Sequence, residues 1–157
     1  MNAPETLVAG IGSPLGDDRA GWLVIDHLAD IPQLTARLRK ASSPHQLIDW
    51  MTDARTLHIV DACVNIETIT RIEIANPQSS NQIDSSLAEI DQLSRCHSTH
   101  HLDLRSVIEL AHSLGKLPQR VVLWAVPGLY FAADQPLSER CERAIGRCAE
   151  SLLEEIQ

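Results

Sequence analysis

Residues 7–29 read LVAGIGSPLGDDRAGWLVIDHLA and contain the transition that decides the fold. The apolar run 7–11 is short and ends at a Gly-Ser-Pro sequence, which is typical of a buried strand that enters a loop. After two aspartates, apolar side chains recur from Trp22 to Leu28 at the spacing of one helical face. The segment therefore predicts a strand, an acidic loop and a helix in immediate succession.

The rest of the chain continues this alternation. Further strands are predicted at 38–41, 57–60, 69–75 and 121–126, and helices at 46–51, from an Asp103 cap to Leu114, and from Pro136 and Ser138 towards Gln157. The segment 76–86 is rich in Asn, Gln and Ser and predicts a loop. Strands alternate with helices without a repeat or a linker, which predicts one domain over residues 1–157, a three-layer α/β/α sandwich with a central, mostly parallel sheet.

Composition narrows the classes of function. The chain has 157 residues, of which 44% are hydrophobic and 22% charged, as in an ordinary soluble globular domain. No apolar run reaches the roughly 18 residues of a membrane span, and the first residues lack the layout of a secretion signal, so we expect a cytoplasmic protein without a membrane partner. The formal charge of −8 argues against binding of nucleic acid. Four cysteines form no C-x-x-C pair and are expected to be reduced thiols.

Three polar elements follow predicted strands and are expected to meet at the carboxyl edge of the sheet. They are Asp17-Asp18 after the first strand, Asp61 after the strand 57–60, and the cluster 96–101, which reads CHSTHH just before a helix. Carboxylates and an imidazole from three loops make a plausible site for a divalent transition metal. Each element also has a structural explanation, since Asp18 can cap a helix and Asp61 can be an ordinary loop residue.

Other chemistries are poorly supported. A Gly-x-Gly after a strand is typical of dinucleotide binding, but Leu15 stands where the third glycine of that fingerprint is required. The adjacent aspartates would also repel a pyrophosphate, so no nucleotide cofactor is expected. No G-x-S-x-G or H-E-x-x-H motif is present. Cys63 lies two residues beyond Asp61 and is expected to be a buried, inert thiol. His58 is expected to be an ordinary satisfied or exposed histidine.

The ordered segments resemble the hydrogenase maturation proteases, which trim the C-terminal extension of the nickel–iron hydrogenase large subunit. That family opens with a pattern near G-x-G-N-x-L-x-x-D-[DE]-G-x-G, and residues 10–21 read GIGSPLGDDRAG. A later strand ends in V-D-A, matched by residues 60–62, and a [ST]-[ST]-H segment is matched by 98–100. The resemblance covers nearly the whole chain in the expected order.

The resemblance implies a phosphorylase/hydrolase-like α/β/α fold and a metal-dependent endopeptidase of aspartic or metallo type. The family's metal-ligand and catalytic positions fall on Asp18, Asp61 and His100, with His101 as the nearest rival to His100 and Cys96 as a further candidate. The implied metal is nickel supplied by the substrate, for which zinc or cadmium could substitute. The implied partner is the C-terminal region of the hydrogenase large-subunit precursor.

The chain departs from the family pattern in three places. Ser13 replaces the usual Asn, and the loop from there to Asp17 is one residue shorter. Arg19 stands where Gly is common, and residues 42–45 read SSPH without the usual glycine turn. These departures affect loop shape and substrate choice. The alternative function is a non-catalytic metallochaperone or assembly factor that binds nickel or the precursor through the same residues.

Overall fold

The structure is a computed structural model that describes residues 5–75, 80–94 and 99–157, with the backbone alone described at residues 75, 80, 82, 94 and 99–103. Within this part of the chain, one five-stranded sheet has the order β2-β1-β3-β5-β4. Its strands are β1 (Thr6–Ile11), β2 (Arg37–Ala41), β3 (Thr56–Cys63), β4 (Thr70–Ala75) and β5 (Arg120–Pro127). Four strands are parallel and β4 is antiparallel to β5. The predicted mostly parallel sheet is confirmed.

In the described ranges, five α-helices cover the two faces of the sheet. They are α1 (Ala20–Ala29), α2 (Leu47–Met51), α3 (Ser80–Ser94), α4 (Thr99–Ser113) and α5 (Glu139–Ile156). Short 3₁₀ turns at Gly16–Arg19 and Pro44–Gln46 precede α1 and α2. Apolar residues of α2, α3 and α4 pack on one face of the sheet, and those of α1 and α5 pack on the other. The three-layer α/β/α architecture is therefore confirmed.

Successive side chains of a strand point to opposite faces of the sheet, so each strand contributes residues to both cores. In β3, Leu57, Ile59 and Cys63 lie in the core shared with α2, α3 and α4, while Val60 and Ala62 lie in the core shared with α1 and α5. Asp61 has the same parity as the first group. Its side chain is thereby directed to the face that α3 and α4 cover.

Two of the predicted boundaries are wrong. The Asn-, Gln- and Ser-rich segment predicted as a loop over 76–86 contains the start of α3, since residues 80–94 are helical. Ile83, Leu87 and Ile90 are buried at helical spacing, and this apolar face outweighs the polar composition. Asp103 is not the cap of α4, because that helix already begins at Thr99. No helix in the described part of the chain is long and apolar enough to cross a bilayer.

Candidate functional site

Glycines allow the acidic turn to sit directly on the strand ends. A Cβ atom on Gly10 would lie 2.1 Å from the carbonyl oxygen of Gly21, and one on Gly21 would lie 2.7 Å from the carbonyl oxygen of Val60. The first turn of α1 therefore touches the backbone of both β1 and β3. This close approach brings the turn Gly16–Arg19 into contact with β3, the strand that carries Asp61. It explains why the glycines at these two positions cannot be replaced by larger residues.

Asp17 joins three segments of the chain at this edge of the sheet. Its carboxylate accepts hydrogen bonds from the backbone N–H groups of Leu129 at 2.6 Å, Tyr130 at 3.1 Å and Ser138 at 2.8 Å. The hydroxyl of Ser138 donates a fourth bond at 2.7 Å. Asp17 is fully buried. We call these contacts of Asp17 with residues 129, 130 and 138 the Asp17 clamp.

The clamp stabilises the ionised form of its carboxylate. Burial raises the pKa of Asp17, but the hydrogen bonds from Leu129, Ser138 and Tyr130 together outweigh it, so the pKa lies below its ordinary value. Gly16 cannot be replaced by a residue with a side chain. Its φ is +51°, and a Cβ atom at this position would clash with the carbonyl oxygen of Tyr130, at a distance of 2.1 Å. The loop before α1 and the loop after β5 are thus held together by both side chain and backbone.

The structural alternative raised for Asp18, a helix cap, is wrong. The residue at the N-cap of α1 is Arg19, and it has no side-chain cap hydrogen bond. The carboxylate of Asp17 bonds to distant loops, and the backbone N–H of Asp18 donates to the carbonyl oxygen of Leu15 at 2.9 Å. The side chain of Asp18 is largely buried, with 9% exposed.

Asp61 lies within the last three residues of β3 rather than after the strand. It pairs with Ala125 of β5 in the sheet and is fully buried. Its Oδ1 atom accepts a hydrogen bond from the N–H of Ala62 at 2.9 Å, which fixes the orientation of the carboxylate. Asp61 is thus a buried acid at the carboxyl edge of the sheet, on the strand that the turn of Asp18 contacts. The loop-residue interpretation of Asp61 is wrong.

The histidine cluster is described only in part. Cys96 and His97 lie outside the described residues, and for His100 and His101 the backbone alone is described, as the second and third residues of α4. A short connection joins the end of α4 to the start of β5, so α4 runs antiparallel to that strand. Its first turn is therefore directed towards the carboxyl edge, on the face where Asp61 lies. The ligand role of Asp18, Asp61 and His100 stays a prediction.

A metal centre needs more donors than the described side chains bring together. Among them, no group of three or more His, Cys, Asp or Glu residues is arranged to hold a metal ion. Two aspartates at one sheet edge supply oxygen ligands, and an imidazole from the first turn of α4 would complete a mixed donor set that suits nickel or zinc. The residue types at this edge therefore fit a transition metal. The histidine ligand would be His100 or His101, whose side chains are outside the described part of the structure.

The remaining candidates are structural. Cys63 is fully buried among apolar residues, and its thiol donates to the carbonyl oxygen of Val64 at 3.4 Å. His58 is also buried, and its Nδ1 accepts a hydrogen bond from the indole of Trp124 at 3.1 Å. Burial lowers the pKa of His58 to about 4, so the ring is neutral near pH 7. The predictions of an inert thiol and a satisfied histidine agree with these surroundings.

The Asp17 clamp was not predicted. The sequence places Asp17 at the first position of an acidic pair, and Ser138 at a helix start, but no local pattern connects two residues 121 positions apart. The only local signal is the serine itself, whose hydroxyl caps α5 by accepting from the N–H of Cys141. Leu15, Leu129 and Tyr130 on the clamped loops are large, exposed apolar side chains.

Proteins similar to this chain are found by comparison of structures but not by comparison of sequences. The sequence matches no protein-family model and no curated protein. Among solved structures, an endopeptidase from Escherichia coli aligns with a TM-score of 0.75 and 20% identity, over 96% of this chain and 90% of that one. The hydrogenase maturating endopeptidase HybD from E. coli aligns with a TM-score of 0.75 and 19% identity, over 96% and 91% of the two chains.

An archaeal protein extends this likeness. The hydrogenase 2 maturation peptidase from Thaumarchaeota archaeon SCGC_AB-539-E09 aligns with a TM-score of 0.65 and 23% identity, over 96% of this chain and 97% of that one. At these identities the likeness establishes a shared fold. The fold implied by the sequence resemblance, that of the hydrogenase maturation endopeptidases, is therefore confirmed over nearly the whole chain.

Proposed function

We propose that this protein is an endopeptidase that removes the C-terminal extension of a nickel-loaded hydrogenase large-subunit precursor. The proposal is carried by the placement of two acidic residues within a fold that known endopeptidases share. The fold matches two solved hydrogenase maturation peptidases over 96% of the chain. In that fold, Asp18 and Asp61 lie on adjoining elements at the carboxyl edge of the sheet, where α/β proteins bind their ligands.

In the proposed mechanism, the nickel ion belongs to the substrate. Asp18, Asp61 and His100 add oxygen and nitrogen ligands to it and so dock the C-terminal region of the precursor. A metal ion held by these residues would supply Lewis-acid chemistry, by which the scissile carbonyl is polarised or the attacking water is activated. Water adds to the carbonyl carbon, the C–N bond breaks, and the released amine takes up a proton. Zinc or cadmium would satisfy the same ligands, so selectivity for nickel comes from the substrate.

The protein's own contribution is to hold these groups before the substrate arrives. The Asp17 clamp fixes the turn that carries Asp18, and the strand pairing with Ala125 fixes Asp61. Preorganised ligands avoid the entropy cost of ordering the site during the reaction. The backbones of Leu129 and Tyr130 belong to the clamp, and their exposed apolar side chains offer contacts for the polypeptide on either side of the scissile bond.

The test uses purified nickel-loaded precursor and mass spectrometry. Wild-type protein should produce a fixed mass loss from the C-terminus of the precursor. Asp18→Asn, Asp61→Asn and His100→Ala should each slow cleavage by more than about 100-fold, because each removes one predicted metal ligand. Asp53→Asn is the matched control and should cleave normally, because Asp53 is exposed and precedes the N-terminal end of β3, whereas Asp61 lies near the carboxyl end of that strand.

Circular dichroism must first show that each variant is folded, since Asp61 is fully buried. If all three variants cleave at the wild-type rate, the assignment of the site is wrong. If His101→Ala is inactive and His100→Ala is active, the histidine is wrong but the function stands. If the protein forms a stable complex with the precursor without any mass loss, it is an assembly factor and the proposed endopeptidase activity is wrong.

A further inference from the structure

A cavity opens at the carboxyl edge of the sheet, and neither Asp18 nor Asp61 lines it. It has a volume of about 190 Å³ and lies between α5 and the segment that connects β3 to β4. Buried Pro127 and Ala144 line its apolar part. Pro127 is the last residue of β5 and pairs with Cys63, two residues beyond Asp61. The cavity therefore lies on the same sheet edge as the proposed site.

Three arginines dominate the charge of this cavity. Arg140, Arg143 and Arg147 all line it, and their spacing of three and four residues places them on one face of α5. Glu67 is the only acidic residue among the lining side chains that the structure describes. The cavity is therefore net cationic in a chain whose formal charge is −8.

The stability of α5 does not account for this arrangement. Arg140 lies in the first turn of the helix, where the helix dipole disfavours cations. Arg143 and Arg147 are four residues apart, a spacing at which like charges repel. None of the three guanidinium groups forms an ion pair or hydrogen bond with another side chain in the described ranges. Three exposed cations are thus held together without internal neutralisation.

We propose that this cavity binds the side-chain carboxylates of an acidic segment in the polypeptide substrate. Guanidinium groups bind carboxylates through paired N–H donors, and a row of three over two helical turns matches successive acidic side chains better than a single charge. The apolar wall of Pro127 and Ala144 lowers the local dielectric constant, which strengthens each ion pair. In so far as the polypeptide is the hydrogenase precursor, the inference rests on the proposed function.

The first test measures binding without any need for catalysis. A fluorescein-labelled peptide with six consecutive glutamates is titrated with wild-type protein, and fluorescence anisotropy reports its Kd. A peptide with six glutamines is the uncharged control. The combined variant Arg140→Gln, Arg143→Gln and Arg147→Gln should bind the glutamate peptide at least about tenfold more weakly, since each exposed ion pair contributes a factor of a few. Arg39→Gln, an exposed arginine on β2, should change the Kd less than about twofold.

The second test separates this inference from the proposed function. With nickel-loaded precursor as substrate, the triple variant should raise KM while Arg39→Gln leaves it unchanged. If wild type cleaves the precursor and the triple variant has the same KM and the same Kd for the glutamate peptide, the inference is wrong and the function stands. If glutamate-peptide binding depends on the three arginines but no precursor is cleaved, the function is wrong and the acidic-peptide site stands. Equal binding of the glutamate and glutamine peptides by wild type also overturns the inference.

Discussion

Two clusters of charged groups lie at different places in this molecule and are built in opposite ways. The Asp17 clamp places one carboxylate in a fully buried position and surrounds it with neutral donors from the backbone and Ser138. Across β4, β5 and α5, Arg71, Glu73, Arg120 and Glu155 instead form a partly exposed network of alternating charges. We call these four residues the surface network.

The difference teaches what each cluster contributes. A buried ion that loses a partner leaves groups unsatisfied in a medium that cannot solvate them, so such a change is costly. An exposed ion that loses a partner is solvated by water at once, and typical exposed pairs contribute below about 1 kcal/mol. The clamp should therefore determine the stability of the site, whereas the surface network should be tolerant to substitution.

The largest effect is expected at Asp17. Asp17→Asn preserves the shape of the side chain but removes its charge and turns an NH₂ group towards N–H donors. We expect the free energy of unfolding to fall by about 3 kcal/mol or more, because hydrogen bonds to a buried charged group contribute roughly 1.5–3 kcal/mol each. Urea denaturation followed by circular dichroism measures the loss.

Asp26→Asn is the matched control for Asp17. Asp26 is half-exposed and forms an ion pair of 2.6 Å with Lys40. Its substitution should cost below about 1 kcal/mol. Equal losses for the two variants would show that burial of the Asp17 carboxylate has no special importance.

The stabilisation by Asp17 should also depend on pH, because its pKa is lower in the folded protein than in the unfolded chain. The contribution of Asp17 to the free energy of unfolding is complete above about pH 4, the ordinary carboxyl range, and is lost as the pH falls through the lower pKa of the folded state.

The second largest effect is expected at His58, which lies beneath the surface network. Burial is the main cause that lowers its pKa from 6.5 to about 4, so the unfolded chain takes up a proton at a higher pH than the folded one. Stability should therefore fall as the pH decreases from about 6.5 to about 4, by an amount on the order of 3 kcal/mol. Thermal or urea unfolding at a series of pH values measures this slope.

His58→Asn isolates the contribution of the imidazole. The amide oxygen of Asn can accept the hydrogen bond that Trp124 Nε1 donates to Nδ1, but it does not titrate in this range. The variant should lose most of the slope between pH 6.5 and 4. If wild type and variant show the same pH dependence, then His58 is protonated as easily in the folded protein as in the unfolded chain, contrary to its buried position.

The sequence predicted the fold because local patterns determine it. The apolar strand runs at 57–60 and 121–126 and the helical spacing from Trp22 to Leu28 each lie within one element, where periodicity is informative. The same reasoning failed at α3, where Ile83, Leu87 and Ile90 are buried although the segment 76–86 is rich in Asn, Gln and Ser, a composition typical of a loop. Composition and periodicity disagreed there, and burial of the apolar face determined the outcome.

The sequence indicates the candidate site residues, whose ligand role stays a prediction, but not the contacts that hold them in place. Asp18 and Asp61 follow from strand ends and from the resemblance to a known family. The partners of Asp17, at Leu129, Tyr130 and Ser138, depend on how two loops meet after the chain has folded. Such contacts link residues more than 110 positions apart, and no periodicity in the sequence encodes them.

The smallest effect is expected in the surface network. Glu155 accepts from both Arg71 and Arg120, and the hydrogen bond from Arg71 and the charge of that arginine contribute to a lowered pKa of Glu155 despite the opposing effect of burial. Glu155→Gln keeps an acceptor oxygen and leaves both arginines bonded to Glu73. We expect a loss below about 1 kcal/mol, measured by urea denaturation at low salt, and a smaller loss at 1 M salt because screening weakens exposed charges. A loss as large as that of Asp17→Asn would remove the distinction between the two clusters, because it would show that exposure to water does not compensate the network for a missing charge.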